Sequence, residues 1–166
     1  MVTENTVTIE DAKLVLRNFA GVEKTFNKAG ERNFGVLLDS DIAERMAADG
    51  WVIKWFKVKE EGDEPQAWLQ VKLHYGGRKP PTVVMISSRG RTHVGEDTAQ
   101  ILDWVDIATC DLIIRPYVWS VNGNSGVKAY VKSIFITIEE DELERKYADV
   151  EEASPNNGRF GYEDEE

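Results

Sequence analysis

Asp111-Leu-Ile-Ile-Arg-Pro-Tyr-Val-Trp-Ser-Val121, then Asn122-Gly-Asn-Ser-Gly126, then Val127-Lys-Ala-Tyr-Val-Lys-Ser-Ile-Phe-Ile-Thr-Ile138 is the stretch from which the rest of the chain is best read. Two runs rich in β-branched and aromatic residues flank a Gly/Asn/Ser turn, a strong β-hairpin signal. Side chains alternate faces along a strand. Leu112, Ile114 and Val118 therefore share one face and Arg115, Tyr117 and Trp119 the other. In the second run Val127, Ala129 and Val131 lie opposite Lys128, Tyr130 and Lys132. Pairing Val121 with Lys128 sets Trp119 against Tyr130 and Tyr117 against Lys132. One face is then aliphatic, and the other mixes three aromatics with three cations. Rings that can stack on bases, among charges that can meet phosphates, are what a single-stranded nucleic acid requires. Packing into a second core or an oligomer interface is the alternative use of such a face.

The same pattern recurs outward from the hairpin. Over 67–75, Leu69, Val71, Leu73 and Tyr75 face one way, and Trp68, Gln70, Lys72 and His74 the other. Over 51–58, Lys54, Trp55 and Lys57 stand among Trp51, Val52, Ile53 and Phe56. Residues 21–32 read as a loop in which Lys24, Phe26, Lys28 and Arg32 interleave cations with an aromatic. That loop can close over a nucleic-acid strand, or be solvated with Phe26 tucked inward.

Elsewhere, alternation predicts a first strand over 7–19, breakable at Glu10-Asp11, with Leu14 and Leu16 opposite Arg17 and Phe19. A short strand over 33–39 leads into a helix capped by Asp39 or Ser40, with Ile42 and Met46 on one stripe and Gly50 at its end. Another strand is expected over 82–87, a small basic loop over 88–91, a short helix over 96–105 and an acidic helix over 139–149. From 151 onward the chain has few core formers and reads as disordered. The fold class that fits is mainly β: an OB-type Greek-key barrel with two or three short helices, with a β-sandwich as the alternative. The domain is expected over 1–150 and a flexible acidic C-terminal tail over 151–166.

With 166 residues, one domain with a sizeable core is expected. Residues 1–6 are polar and do not read as a signal peptide, and no apolar run approaches a membrane span, so a cytoplasmic protein without membrane contact is expected. The lone Cys110 fits a reducing compartment, and two separated histidines with one cysteine make no zinc pattern. The net charge of −10 at first argues against a polyanionic partner. Its distribution removes the objection. Residues 139–166 hold twelve acids and three bases, a charge of −9, leaving −1 on residues 1–138. The acids end in Glu163, Asp164, Glu165 and Glu166, preceded by Phe160 and Tyr162 on a Pro/Asn/Gly-rich tether. A tethered anion of this kind reaches ~mM effective concentration near a basic groove. It can occupy the groove, yield to a polyanion and then dock on partner proteins; a solubilising tail is the simpler reading.

No residue set suggests catalysis. Asp39 and Asp41 sit where helix starts commonly carry acids. Asp103 and Asp106 near a helix end are less expected, yet no acid/base partner or metal ligand stands beside them in sequence. The expectation is a non-enzymatic protein with no cofactor and no metal.

Several phrases resemble the single-stranded DNA-binding proteins of tailed bacteriophages. These are Phe26-Asn27-Lys28 with Gly30-Glu31-Arg32-Asn33-Phe34; Asp49-Gly50-Trp51-Val52-Ile53-Lys54; Asp111-Leu112-Ile113-Ile114-Arg115-Pro116-Tyr117 with Trp119; and Val121-Asn122-Gly123 leading to Gly126-Val127-Lys128-Ala129-Tyr130. The resemblance implies an OB fold, work on single-stranded DNA in phage replication or recombination, and tail-mediated contact with replication proteins. One departure is that the tip ends in Glu166 rather than in an aromatic. The expected contacts are Arg115, Tyr117, Trp119, Lys128, Tyr130, Lys132, Trp68, Lys72, Lys54, Trp55, Lys24, Phe26, Lys28 and Arg32. The alternative is an interaction or oligomerisation module that uses the same aromatic face.

Overall fold

The computed structural model describes residues 6–141, 143, 146, 147 and 150. The chain is mainly β, as expected. Its elements are β1 (Val7–Ile9), β2 (Leu14–Asn18), β3 (Arg32–Leu38), α1 (Ser40–Ala48), β4 (Ile53–Trp55), β5 (Ala67–Leu73), β6 (Thr82–Ser87), β7 (Gly90–His93), a 3₁₀ turn (Ala99–Asp103), β8 (Ile107–Val121) and β9 (Asn124–Ile138). All nine strands join one sheet with the central order β1-β8-β9-β5-β3-β2. β4 pairs with β5, and β6 pairs with both β7 and β9. The ladders β5–β9 and β6–β9 are parallel and the rest antiparallel.

One apolar core draws on every strand except β7, so the sheet curls around it. Phe19, Phe34, Leu69, Leu102, Leu112, Ile114, Ile134 and Ile136 are its largest fully buried side chains, and Phe19 stacks on Phe34 at 5.0 Å. Each such side chain contributes about 1.5–3 kcal/mol on burial. Curling around a single core is what an OB-type barrel does. Here no ladder joins β1 to β2 among the described residues.

The first strand breaks at Asp11, whose φ is 53° and whose backbone N–H is held by Asp111 Oδ1 at 2.9 Å. β1 then pairs with β8, while β2 pairs with β3. Leu16 and Phe19 reverse the expected faces. A register shift between Val15 and Asn18, with Leu16 at φ 53°, turns Leu16 outward and Phe19 into the core. α1 ends as expected: Gly50 adopts φ 98°, its N–H donates to Ala47 O (3.0 Å) and Trp51 N–H to Met46 O (3.0 Å). This Schellman cap delivers the chain to β9, where Val52 N–H meets Val127 O at 3.0 Å and β4 starts beside the hairpin.

Three expected elements shrink. The 51–58 strand is only Ile53–Trp55, and the 96–105 helix is a 3₁₀ turn. The basic loop at 88–91 partly joins β7. Of the expected 139–149 helix, Leu143 and Lys146 are helical and Tyr147 N–H donates to Leu143 O at 3.1 Å. Its other members at 142, 144, 145, 148 and 149, and the whole expected tail over 151–166, lie outside the described residues.

The hairpin forms, in a different register. Val121 pairs with Asn124, Tyr117 with Lys128 and Trp119 with Gly126. The turn is the two residues Asn122 and Gly123, at φ 52° and 83°. Two positive-φ positions make the tight turn whose twist suits a hairpin, and Asn-Gly is the pair that best adopts it. The offset from the expected register is even, so every side chain keeps its face. The tip also outruns the core: Val118, expected on the buried face, is 71% exposed.

Candidate nucleic-acid interface

The outward face of the sheet carries two tryptophans built into it by the same local device. Trp68 on β5 lies across Gly35 of β3. A Cβ on Gly35 would meet Trp68 Cε3 at 2.7 Å, closer than packed carbons tolerate. Lys54, opposite Trp68 on β4, puts Nζ 5.3 Å from the indole centroid, and Phe56 stacks on the ring at 5.6 Å and 22°. Trp119 on β8 lies across Gly126 of β9, where a Cβ would fall 2.9 Å from Nε1. Lys128 sits over that ring at 5.6 Å. Trp119 Nε1 is buried without a hydrogen-bond partner among the described residues.

Between the two tryptophans, the parallel ladder pairs Lys72 of β5 with Tyr130 of β9, and Tyr130 pairs with Arg115 of β8. Tyr117 and Tyr130 meet edge to face at 5.7 Å. Burial, then the neighbouring Tyr117 and Glu31, hold the Tyr130 phenol above its ordinary pKa of 10.0, so it stays neutral at physiological pH.

The 21–31 loop frames one side, and its root is tied down. Asn18, 4% exposed, accepts from Val22 N–H (2.9 Å) and donates to Val22 O (3.0 Å). Asn27 Nδ2 donates to the carbonyls of Val22, Lys28 and Glu31, and its Oδ1 accepts from Asn33 Nδ2 at 2.7 Å. The Asp103 carboxylate accepts from Phe19 N–H (2.7 Å) and Ala20 N–H (3.0 Å), while Arg17 donates to Leu102 O (2.9 Å) and Val105 O (2.8 Å). That clasp explains an aspartate at the end of a helical turn. The ordered loop holds Phe26 98% exposed, not tucked inward.

Three cavities run along this face. The first, about 530 Å³, lies between the loop and Trp68, with Leu16, Lys24, Phe26, Asn33, Lys54 and Gln70 in its wall. The second, about 220 Å³, shares Lys54 and Gln70 with the first and adds Lys72 and Lys128. The third, about 400 Å³, holds Tyr117, Tyr130, Arg115, His74, Arg78 and Lys79. Together their walls contain seven Lys or Arg side chains and no carboxylate. Two cavities elsewhere do include acids: Glu10, Asp11 and Asp39, beside Lys13, in one, and Glu139 and Glu140 in the other.

Residues 1–161 match the profile of the phage ssDNA-binding domain family. The chain belongs to that family. Its fold is similar to solved structures of a single-stranded DNA-binding protein from bacteriophage Enc34. A C-terminally truncated form matches with a TM-score of 0.51 at 11% identity, over 82% of this chain and 87% of that one. A form in complex with ssDNA matches with a TM-score of 0.50 at 11% identity, over 82% and 88%. No curated protein matches by sequence.

In this phage ssDNA-binding domain, the fold brings most of the expected contacts to one face: Lys54, Trp68, Lys72, Arg115, Tyr117, Trp119, Lys128 and Tyr130, with Lys24 and Phe26 on the bordering loop. Lys28 is exposed on that loop outside the cavity walls, and Lys132 is exposed at an irregularity of the β8–β9 ladder. Two expected contacts are not brought there. Arg32 pairs with Leu73 on the core side, 15% exposed; it donates to Ala20 O at 3.1 Å and meets Glu96 at 3.6 Å. Trp55 pairs with the buried Ala67, because neighbours on a strand point opposite ways and Lys54 takes the outer face. The tail residues Phe160, Tyr162, Glu163, Asp164, Glu165 and Glu166 lie outside the described residues. The sequence reading missed Phe56, Gly35 and the Arg78/Lys79 loop. Parity from Lys54 points to Phe56; only the fold reveals the other two. No helix among the described residues is long and apolar enough to cross a membrane, and no described group of three or more acid, His or Cys side chains is arranged to hold a metal.

Proposed function

We propose that the domain holds single-stranded DNA across the outer face of its sheet with little sequence preference. Bases stack on Trp68, Phe26, Trp119 and the Tyr117/Tyr130 pair, and phosphates meet Lys24, Lys54, Lys72, Lys128 and Arg115. The observation that carries this reading is the row of cavities with seven cations and no carboxylate, set among aromatic rings. Stacking tolerates any base because every base has a π-face. Binding and positioning, not bond-making, is the work such a face performs, and replication or recombination in the host cytoplasm is where it is needed. Titration of tryptophan fluorescence with oligo-dT tests this. Strong quenching that weakens steeply with salt is expected; no quenching, or equal affinity for duplex, sinks the reading.

The acidic tail acts in the same scheme as a competitor for the groove and a handle for replication or recombination proteins. Its support is the −9 charge of residues 139–166 against the cationic face. Removing 163–166 should tighten oligo-dT binding at low salt and lose that effect at high salt, where exposed charges are screened. Self-association is the alternative use of the exposed hairpin tip, where Val118 and Val121 are 71% and 58% exposed. Light scattering with and without oligonucleotide separates a tip-mediated oligomer from a DNA-bound monomer.

A further inference from the structure

Beyond the hairpin, the third cavity is walled by a loop that no expected contact includes. Residues 76–81 read Gly-Gly-Arg-Lys-Pro-Pro. The loop passes close to His74: a Cβ on Gly77 would lie 3.3 Å from His74 Cδ2. Pro80 and Pro81 restrict the backbone immediately after the two cations. Ordering Arg78 and Lys79 on a bound anion therefore costs less entropy than ordering them on a glycine linker. Across the cavity stand Arg115, Tyr117 and Tyr130, and no wall residue is acidic. The edge-to-face contact at 5.7 Å fixes the two tyrosine rings relative to each other, and the neutral Tyr130 phenol does not repel a phosphate.

Position makes this a separate station. The first cavity sits over β2, β3 and β5 under the Phe26 loop; this one sits over β8 and β9 at the other end of the row. The middle cavity, with Lys54, Lys72 and Lys128, links them. From β2 to β8 the path crosses four inter-strand gaps, about 19 Å at the usual strand spacing. A strand of nucleic acid long enough to cover it meets a loop at each end.

We propose, resting on the single-strand reading above, that the cavity between the 76–81 loop and the Tyr117/Tyr130 pair is a nucleotide subsite of its own, with Arg78 and Lys79 as its phosphate contacts. A bound strand thus extends past the hairpin onto the loop after β5. The test uses the full chain, dT20 as probe and Arg78→Gln/Lys79→Gln as the variant. Affinity is read across a salt series, with Lys57→Gln/Lys59→Gln as a charge-matched control outside the cavities. Two lost phosphate contacts lower the slope of log affinity against log salt by about 1.4, at about 0.7 per contact for single strands. Arg78→Gln alone should give about half of that change. Affinity at low salt should fall about tenfold, while the control keeps the wild-type slope. A loop variant with the wild-type slope, or a control shifted as much as the loop variant, overturns the subsite while leaving the broader reading intact. A wild-type chain that fails to bind dT20 overturns the broader reading instead. Both substitutions are neutral and lie on an exposed loop, so an unchanged melting temperature accompanies the expected result.

Discussion

Trp68 and Trp119 are two copies of one construction placed in different mechanical settings. Each indole lies over a glycine on a neighbouring strand, and each has a lysine above its ring, at 5.3 Å and 5.6 Å. Trp68 stands between β3 and β4 in the body of the sheet, with Phe56 stacked beside it. Trp119 stands on the end of the hairpin, past the last residue that β1 pairs, where neighbours such as Val118 face solvent. The same packing unit thus sits in two settings: Trp68 has a paired strand on each side, whereas Trp119 has one, β9, whose Val127 is tied to Gly50 and Val52.

The largest difference should come from the glycines. Gly35→Val forces Trp68 and Val15 apart inside a packed sheet, because even a Cβ would lie 2.7 Å from the indole and 3.0 Å from Val15. Overpacking of this kind costs about 1–3 kcal/mol, and the stacking site is lost with it. Gly126→Val displaces Trp119 into the space around the arm and should leave the urea midpoint nearly unchanged. Equal midpoints for the two variants would break the comparison. Next come the rings themselves. Trp68→Ala and Trp119→Ala should each weaken oligo-dT binding by about 1–3 kcal/mol, with Trp68→Ala the more damaging. The reverse order would make the arm the principal platform. Phe26→Ala should weaken binding without moving the melting temperature, since a side chain 98% exposed contributes nothing to the core.

The smallest effect concerns Cys110, which serves as a reporter of the body. Burial pushes its thiol from 9.0 up to about 12, so the reactive thiolate is suppressed in the folded chain. Because the folded pKa is the raised one, stability linked to this group is present below pH 9 and is lost as pH climbs toward 12. At pH 8–9 a thiol reagent should label native protein and the Trp119→Ala variant equally slowly. It should label the Gly35→Val variant faster. Fast labelling of the native chain would show that the core is less closed than Cys110's complete burial implies.

How far the sequence carried is plain from these same residues. Alternation placed Trp68, Lys72, Arg115, Tyr117, Trp119, Lys128 and Tyr130 on one face, because period-2 patterning survives any even error of register. Alternation alone does not set the register, because five turn-formers follow Val121 and the φ values and pairing assign the turn to Asn122 and Gly123. Arg32 looked like a groove cation since loop lysines precede it; its guanidinium is instead bound to Ala20 and Glu96 on the core side. Trp55 shares a cationic, aromatic stretch with Lys54, but adjacent strand residues point opposite ways and only Lys54 reaches the outer face. Leu16 and Phe19 exchanged faces through an irregularity that no hydrophobic pattern announces. The Arg78/Lys79 loop could not be joined to Tyr130 from sequence, because a parallel ladder between β5 and β9 brings them together.

The β8–β9 ladder shifts register between Ile113 and Ile114. Ile113 pairs with Ser133 and Ile114 with Val131, leaving Lys132 as a supernumerary residue in β9. On one side of it the core takes Ala129 and Val131; on the other it takes Ile134 and Ile136. Lys132 is thus a phase change within a single strand. Deleting it would make the alternation of β9 perfectly regular and, by the usual reading, more ideal. Yet an extra residue also bends its strand and sharpens the local twist, which aims the arm bearing Trp119 and Lys128. A chain shortened by that one lysine should fold with its core in phase and its arm pointing elsewhere: an improved strand and a poorer grip on DNA.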